Sequence, residues 1–287
     1  MNKAIIIKNI SNQYEVLFED GSIQTCVAMG KVRLDKKPLV GDHVLVEEFD
    51  SKYGIQKILE RKNSLIRPAI ANVDQALIVM SAFEPDFSTT LVDRLIFLIS
   101  YANIKPVLCV TKMDLVKPND PIYESIEDYR KSGYEVYTTG KDFDESEIIE
   151  CFADKITVLT GQSGAGKSSL LNRINPDFQL HTQETSKALG RGKHTTRHCQ
   201  LFKIGSGWVA DTPGFSSLDF SRIDLIELKD KIEDFQIEEP CKFRDCVHIN
   251  EPDCAVKRYV EEGKISSIRY ENYKDVAQLI KQGKRGY

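Results

Sequence analysis

"VLTGQSGAGKSSLLNR", residues 158 to 173, is the stretch that decides the architecture. It satisfies the pattern G-x-x-x-x-G-K-[ST] without a mismatch, running from an apolar strand through a glycine turn into "GKSSLLNRI", which opens a helix. In that context backbone N–H groups and the helix N-terminus cradle phosphates. Gly161, Gly164 and Gly166 let the backbone face the phosphates, with Gln162, Ser163 and Ala165 completing the turn. Lys167 neutralises the β- and γ-phosphates, the Ser168 hydroxyl binds Mg²⁺, and Ser169 follows it in the helix. The bland alternative is a glycine-rich turn without a ligand.

Phosphate loops serve adenine and guanine nucleotides alike, so the base has to be read elsewhere. Upstream, "LCVTKMDLV" spans residues 108 to 116 and begins where the apolar run "KPVLCVT" stops. In "TKMD" the Asp114 carboxylate accepts from the ring N–H and exocyclic amine of guanine, a donor pair that adenine lacks. The Lys112 stem lies over the base plane, and Met113 is carried between them. Thr111 stands where the commoner form of the motif has Asn. Downstream, "WVADTPGFSSL" ends a strand at Asp211, which holds Mg²⁺ through a water, while the Gly214 amide senses the γ-phosphate. "RGKHTTRH" supplies Thr195 and Thr196 as candidates to cap Mg²⁺ in the triphosphate state, with Thr196 favoured. Taken singly, each short motif could be a solvated loop or a β-turn.

The order is therefore base reader, phosphate loop, first switch, second switch. This resembles the circularly permuted GTPases, whose sheet is kept while the chain begins elsewhere on it. The surrounding pattern agrees. "QALIVMSA", "KPVLCVT", "YEVYTT" and "KITVLTG" alternate with helical segments such as "STTLVDRLIFLISYAN", which starts at an N-cap, Ser88. Alternating strands and helices predict a mostly parallel α/β sheet, which binds ligands at the carboxyl ends of its strands. The strand "YEVYTTG" falls where permuted GTPases place a minor guanine-contacting loop, although "TTG" matches that loop only loosely.

Two further units flank this one. Residues 1–67 carry short alternating runs ("KAIIIKN", "QYEVLFE", "HVLVEE", "YGIQKILE") separated by turn signals such as "EDGS". Five strands in that length favour an OB-fold barrel, with a sandwich or an SH3-like barrel as alternatives. "NSLIRPAIANVD" around Pro68 reads as a linker into a central unit, 68–222. Residues 223–287 read as a mostly helical third unit built on "CKFRDCVHINEPDC" and the helical pattern "AVKRYVEEGKISSIRYENYKDVAQLIKQ". Cys241, Cys246, His248 and Cys254 offer three thiolates and one imidazole, a complete tetrahedral zinc set with no open position, so one structural Zn²⁺ is expected. Three buried thiols and a surface histidine are the alternative. Cys26, Cys109 and Cys151 lie in apolar contexts and read as core, whereas Cys199, beside the first switch, reads as exposed.

Composition bounds the rest. The chain has 287 residues, seven cysteines and a net charge of -4, so nucleic-acid binding is not advertised globally and depends on local patches. No run approaches a membrane span. The amino terminus reads as a strand and not a signal peptide, which points to a reducing compartment.

Barrel, permuted GTPase and cysteine-rich unit together resemble the RsgA (YjeQ) family over essentially the whole chain. The residues that carry the match are "TKMD", "GQSGAGKSSLLN", "GRGKHTTRH", "DTPGF" and C-x4-C-x-H-x5-C. The resemblance implies a GTPase that binds GTP and GDP and acts in late maturation of the small ribosomal subunit; a cytoplasmic monomer, not membrane-bound, is expected. It further implies rRNA contact and stimulation of hydrolysis by the subunit. Phe215 follows "DTPG" where Ras-like proteins have a water-orienting glutamine, so slow hydrolysis by the isolated protein is expected. His194 is the candidate for the missing polar role; His181, His198 and His43 have weaker claims. Lys187, Arg191, Lys193 and Arg197 make the first switch a basic segment able to touch RNA phosphates. In the barrel, Tyr14, Phe18 and Tyr53 are either base-stacking or core residues. The competing readings are a nucleotide-gated RNA-binding module with incidental hydrolysis and, against "TKMD" and "DTPG", a small-molecule P-loop kinase.

Overall fold

A computed structural model describes residues 1–10, 12–30, 32, 37–50, 52–66, 68–178, 199–210 and 218–283. The chain divides into two compact units. One comprises Met1–Ala76, Glu145–Leu159 and Ser168–Gly214; the other comprises Leu77–Asp144, Thr160–Lys167 and Phe215–Tyr287.

The first unit begins with β1 (Asn2–Ile10), β2 (Gln13–Phe18), β3 (Ile23–Ala28), β4 (His43–Phe49) and β5 (Lys52–Ile58). They close into a barrel in the order β1-β2-β3-β5-β4, with β3 and β5 parallel and the other pairs antiparallel. Alternation fills it: Ile6, Val16, Cys26, Val44, Val46 and Ile55 all point inward and are buried. Tyr14 is only 2% exposed and belongs to that core, not to a stacking platform. Phe18 and Tyr53 are half-buried and pack on each other, ring centroids 5.8 Å apart.

The stretch read as a linker is more ordered than its composition suggests. It forms a small antiparallel ladder, β6 (Ser64–Leu65) with β7 (Ile70–Ala71). The cause is side-chain to backbone bonding. Asn72 donates to the Gly41 carbonyl at 2.9 Å and accepts from the Lys62 amide at 3.0 Å. Gly41, at φ +86°, passes so close that a Cβ would lie 2.2 Å from the Ala71 oxygen. Beside it Asp42, fully buried, accepts from Arg61 Nε at 2.6 Å and from the Leu39 amide at 2.7 Å.

The central sheet contains β8 (Gln75–Ser81), β9 (Lys105–Thr111), β10 (Glu135–Thr138), β11 (Ile156–Gly161), β12 (Leu201–Ile204) and β13 (Gly207–Ala210), in the order β10-β9-β8-β11-β13-β12. β10 is parallel to β9 and β11 to β13, while β12 returns antiparallel. Every residue of β8 is buried, as a central strand of a covered sheet requires. Between the strands run α1 (Thr89–Tyr101), α2 (Ile122–Lys131), α3 (Ser146–Cys151) and α4 (Lys167–Ile174). The Ser88 hydroxyl caps α1, accepting from the Leu91 amide at 3.3 Å. Cys26, Cys109 and Cys151 are buried as expected, but so is Cys199, at 8% exposure; it sits where Asn9 donates to its carbonyl.

The carboxyl segment contributes α5 (Leu225–Lys229), α6 (Ala255–Glu261) and α7 (Ser267–Gly283). The continuous helical pattern of residues 255–282 breaks after α6, where Gly263 takes φ +71°. α7 packs along α1, with Phe97 and Tyr273 edge to face at 6.1 Å. Among the described residues no helix is long and apolar enough to cross a membrane.

Candidate nucleotide and metal sites

The phosphate loop leaves β11 at Gly161 and enters α4 at Lys167. Gly161, Gly164 and Gly166 have φ of +117°, +83° and +87°, which admit glycine and little else. At Gly161 a Cβ would lie 2.0 Å from the Val79 carbonyl oxygen, so glycine is also imposed by the neighbouring strand. Lys167 Nζ donates to the carbonyls of Gly161 at 3.0 Å and Gln162 at 2.6 Å, which curls the amine over the loop. Burial holds its pKa below the ordinary lysine value. Ala165 is fully buried, and Ser168 and Ser169 occupy the first turn of α4.

The base-reading loop is tied to the phosphate loop by the residue that departs from the common motif. Thr111, 4% exposed, directs its hydroxyl to the Ala165 carbonyl at 2.6 Å, with the Met80 carbonyl at 3.3 Å. A small hydroxyl therefore joins the two loops at the place where the amide side chain of Asn is missing. Lys112 adopts φ +59°, and its amine donates to the carbonyls of Phe83 (3.1 Å) and Glu84, stretching the stem across the loop after β8. Met113 is buried, and its amide donates to the Thr139 carbonyl at 3.1 Å.

Asp114 is held by residues that sequence reasoning reached only as a loose match. Its Oδ1 accepts from the Lys141 amide at 2.9 Å, which fixes the carboxylate in the mouth of the loop after β10. A Cβ on Gly140 would stand 2.5 Å from that oxygen and 2.9 Å from the Asp114 backbone nitrogen. The available signal was positional: "TTGK" follows a parallel strand at its carboxyl end, where such sheets bind ligands. Gly140→Ala is expected to raise KM for GTP by about 10- to 100-fold with kcat little changed, because a misplacement of about 1 Å costs up to that much in positioning. Steady-state kinetics check this, and an unaltered KM would remove Gly140 from the site.

In the carboxyl segment the structure brings Cys241, Cys246, His248 and Cys254 together. Their ligand atoms all lie within 4.8 Å of one another. His248 Nδ1 is 3.5 Å from Cys241 Sγ and 3.4 Å from both Cys246 Sγ and Cys254 Sγ, while Cys241 and Cys254 are 3.8 Å apart at sulfur. The loop is pinned from outside. Glu251 accepts from the amides of Val247, Ile249 and Asn250, and the hydroxyls of Tyr270 and Tyr273 reach the carbonyls of His248 (2.7 Å) and Val247 (2.8 Å). Phe235 closes the histidine ring edge-on at 5.3 Å. Burial, aided by the Lys229 charge, pushes the His248 pKa down to about 4, leaving the imidazole in its ligating neutral form; burial pushes the Cys246 thiol up to about 12. Clustered sulfurs, two of them buried and that of Cys241 half-buried, could hold a metal ion with that donor geometry, and its charge would offset the cost of the thiolates.

His194, Thr195, Thr196, Asp211, Gly214 and Phe215 lie outside the described residues, as do His181, His198, Lys187, Arg191, Lys193 and Arg197. His43 is the exposed first residue of β4.

This arrangement, a phosphate loop placed late in the chain and stitched to an earlier guanine-type loop, has counterparts. A family model described as RsgA GTPase matches residues 58–221, and one described as RsgA N-terminal domain matches residues 3–55. Proteins named small ribosomal subunit biogenesis GTPase RsgA from Bacillus cytotoxicus and Bacillus subtilis are each 48% identical to this chain, over 296 and 299 residues, covering all of both chains. The crystal structure of YloQ, described as a circularly permuted GTPase, matches with TM-score 0.85 at 43% identity over 98% of this chain and 96% of that one. YjeQ from Thermotoga maritima matches with TM-score 0.85 at 35% identity over 97% and 98%. With the family models covering barrel and nucleotide-binding region alike, and full-length relatives near one-half identity, the chain belongs to the RsgA GTPase family.

Proposed function

We propose that this protein hydrolyses GTP and acts in the late maturation of the small ribosomal subunit, binding the subunit and its rRNA and being stimulated by it. The observation that carries the reading is the 2.6 Å bond from Thr111 to Ala165, which couples the loop bearing Asp114 to the loop bearing Lys167. The names of the full-length relatives support the biological setting. The protein works as a cytoplasmic monomer in three parts, residues 1–67, 68–222 and 223–287.

Phosphoryl transfer in this class needs positioning and charge neutralisation more than covalent help. Lys167 and the amides of residues 161–169 bind the β- and γ-phosphates. Ser168, Asp211 and Thr196 or Thr195 would hold Mg²⁺, which would supply neutralisation of developing charge. Gly214 reads the γ-phosphate, and His194 takes the water-orienting role that Phe215 cannot fill.

The metal of the cysteine cluster is zinc in this reading. Tetrahedral bonds of about 2.3 Å to sulfur and about 2.0 Å to nitrogen imply S···S edges of about 3.8 Å and S···N edges of about 3.5 Å. The Cys241–Cys254 edge is 3.8 Å and the sulfur–imidazole edges are 3.4 to 3.5 Å. With four protein donors no position would stay open, so the ion would stabilise and not catalyse.

GTP and ATP turnover by the purified protein, with and without small ribosomal subunits, tests the function. GTP-only hydrolysis, slow alone and raised steeply by the subunit, is the expected result. Equal use of ATP would overturn the base reader. Turnover indifferent to the subunit would overturn the proposed partner.

A further inference from the structure

We propose that the junction of α1, α2 and α7 is a proton-operated latch, held most tightly when Asp93 is protonated and loosened when it ionises. The junction lies inside one compact unit and encloses an unbalanced set of charges. Arg269 of α7, 3% exposed, donates from Nε to Asp234 at 2.7 Å and from Nη1 to Asp128 at 2.7 Å, and it also reaches the Ser132 hydroxyl. Its guanidinium lies 4.9 Å from the Tyr129 ring centre and 5.8 Å from that of Tyr134. Asp234 is fully engaged, because Tyr134 donates to its other oxygen at 2.7 Å. Asp93 of α1 is completely buried, and the guanidinium is spent on other partners.

Among the described residues, only neutral groups bond to Asp93. Tyr129 donates to Oδ1 at 2.8 Å, and Asn272 of α7 donates to Oδ2 at 2.5 Å. Asn272 in turn accepts from the Thr90 hydroxyl at 3.1 Å. Both charge states of Asp93 can be hydrogen-bonded in this site. When it is ionised, Tyr129 donates to it. When it is protonated, the carboxyl O–H donates to the phenol oxygen, and the phenol proton turns to the Thr89 carbonyl, 3.4 Å away. A protonated Asp93 therefore leaves no donor orphaned, whereas an ionised one buries a charge with no cation among the described residues in contact.

The other charges near α1 act in opposite directions and leave burial as the largest effect. From α2 and the turn after it come Asp128, Tyr129 and Tyr134; from the turn at 233–235 comes Asp234; from α7 come Arg269 and Asn272. α5 and its following turn meet α1 at Tyr101, where Glu227 and Lys231 bind the hydroxyl and carbonyl. β9 presents Lys105 at the same far end, paired with Glu135. Burial, with repulsion from Asp234, pushes the Asp93 carboxyl up to about 7 against the opposing bonds from Asn272 and Tyr129 and the attraction of Arg269.

The sign follows from proton linkage. An aspartate in the opened junction has an ordinary pKa of about 3.9. Between about pH 4 and pH 7 the opened form loses its proton while the closed form keeps it, so the opening constant rises about tenfold per pH unit and levels off above 7. From pH 5.5 to 7.5 the rise is roughly 20- to 30-fold. Because Tyr270 and Tyr273 of α7 also grip the metal-cluster loop, opening of this junction loosens that loop from α1.

Hydrogen–deuterium exchange of the full chain, corrected for intrinsic amide chemistry, reads this in the amides of α7. The wild type is expected to show the 20- to 30-fold rise in opening, with β8 unaffected, and Asp93→Asn to be flat across the same range. A flat wild type, an Asp93→Asn variant with the same pH response, or a rise shared equally by β8 would overturn the latch. If the variant does not fold, ¹³C titration of the wild-type carboxyls decides: one aspartate with a midpoint near neutrality supports the proposal, and all carboxyls titrating below pH 5 overturn it.

Discussion

Replacing Asp114 by Asn is expected to lower the affinity for GTP and GDP by roughly three to four orders of magnitude, since a site built to pair a polar edge rejects one that leaves it unpaired by about 10⁴ or more. The reason is one of donors and acceptors. The native carboxylate accepts from the Lys141 amide through Oδ1, and in the proposed function its remaining lone pairs accept from guanine. An Asn carbonyl keeps the Lys141 bond but sets an amide N–H against the guanine donors. Xanthine has a carbonyl where guanine has its exocyclic amine, so the variant gains affinity for XTP as it loses GTP. Equilibrium binding with fluorescent nucleotides reads both changes in one protein. Unchanged GTP affinity, or loss of GTP without gain of XTP in a folded variant, would sink the assignment. The Gly140→Ala change acts on the same oxygen by displacement, so it weakens GTP without creating affinity for XTP, and the two variants separate seating from chemistry.

Removing the metal is expected to cost the carboxyl segment its structure. Structural zinc contributes about 10 to 16 kcal/mol of apparent binding energy in small domains, and most of that is folding energy. Here the residues between α5 and α6 contain one short helical turn, Glu233–Phe235, so few backbone hydrogen bonds would survive the loss of the cross-link. Cys246, buried and with its thiol raised to about 12, is the most informative ligand to change. Cys246→Ser should purify with less than one equivalent of metal and show early exchange across 241–254. GTP binding should persist, because Lys167, Thr111 and Asp114 are seated by other bonds. Metal analysis of the wild type should return one zinc per chain. A metal-free protein with an unchanged thermal transition would refute the structural role.

Several features were determined by the sequence alone, and each is a case in which a local pattern has one physical solution. Gly161, Gly164 and Gly166 announce positive φ because other residues pay a steric cost there. Alternating apolar residues in 1–58 mark strands with one buried face, since that face has to leave water; closure into a barrel was decided by the pairing of β1 with β4. Three cysteines and a histidine within fourteen residues can converge because the intervening loop is short, and a serine before a run of apolar residues caps a helix.

Tertiary structure decided what depends on distance between residues far apart in the chain. That Thr111 ties its loop to the phosphate loop could not be read from "TKMD", because its partner Ala165 lies 54 residues on. The role of Gly140 was hidden for the same reason, since only the approach of Asp114 makes a Cβ impossible. Pro68 and its neighbours looked like a linker until Asn72 was found bonded to Gly41, and Cys199 looked exposed until β1 was found against it. The Asp93 and Arg269 network is the clearest instance. Its members span residues 90 to 272, none belongs to a recognisable pattern, and the burial that makes them consequential exists only once α1, α2 and α7 have met. Sequence records which groups are present, but desolvation and hydrogen-bond geometry are properties of the packed chain.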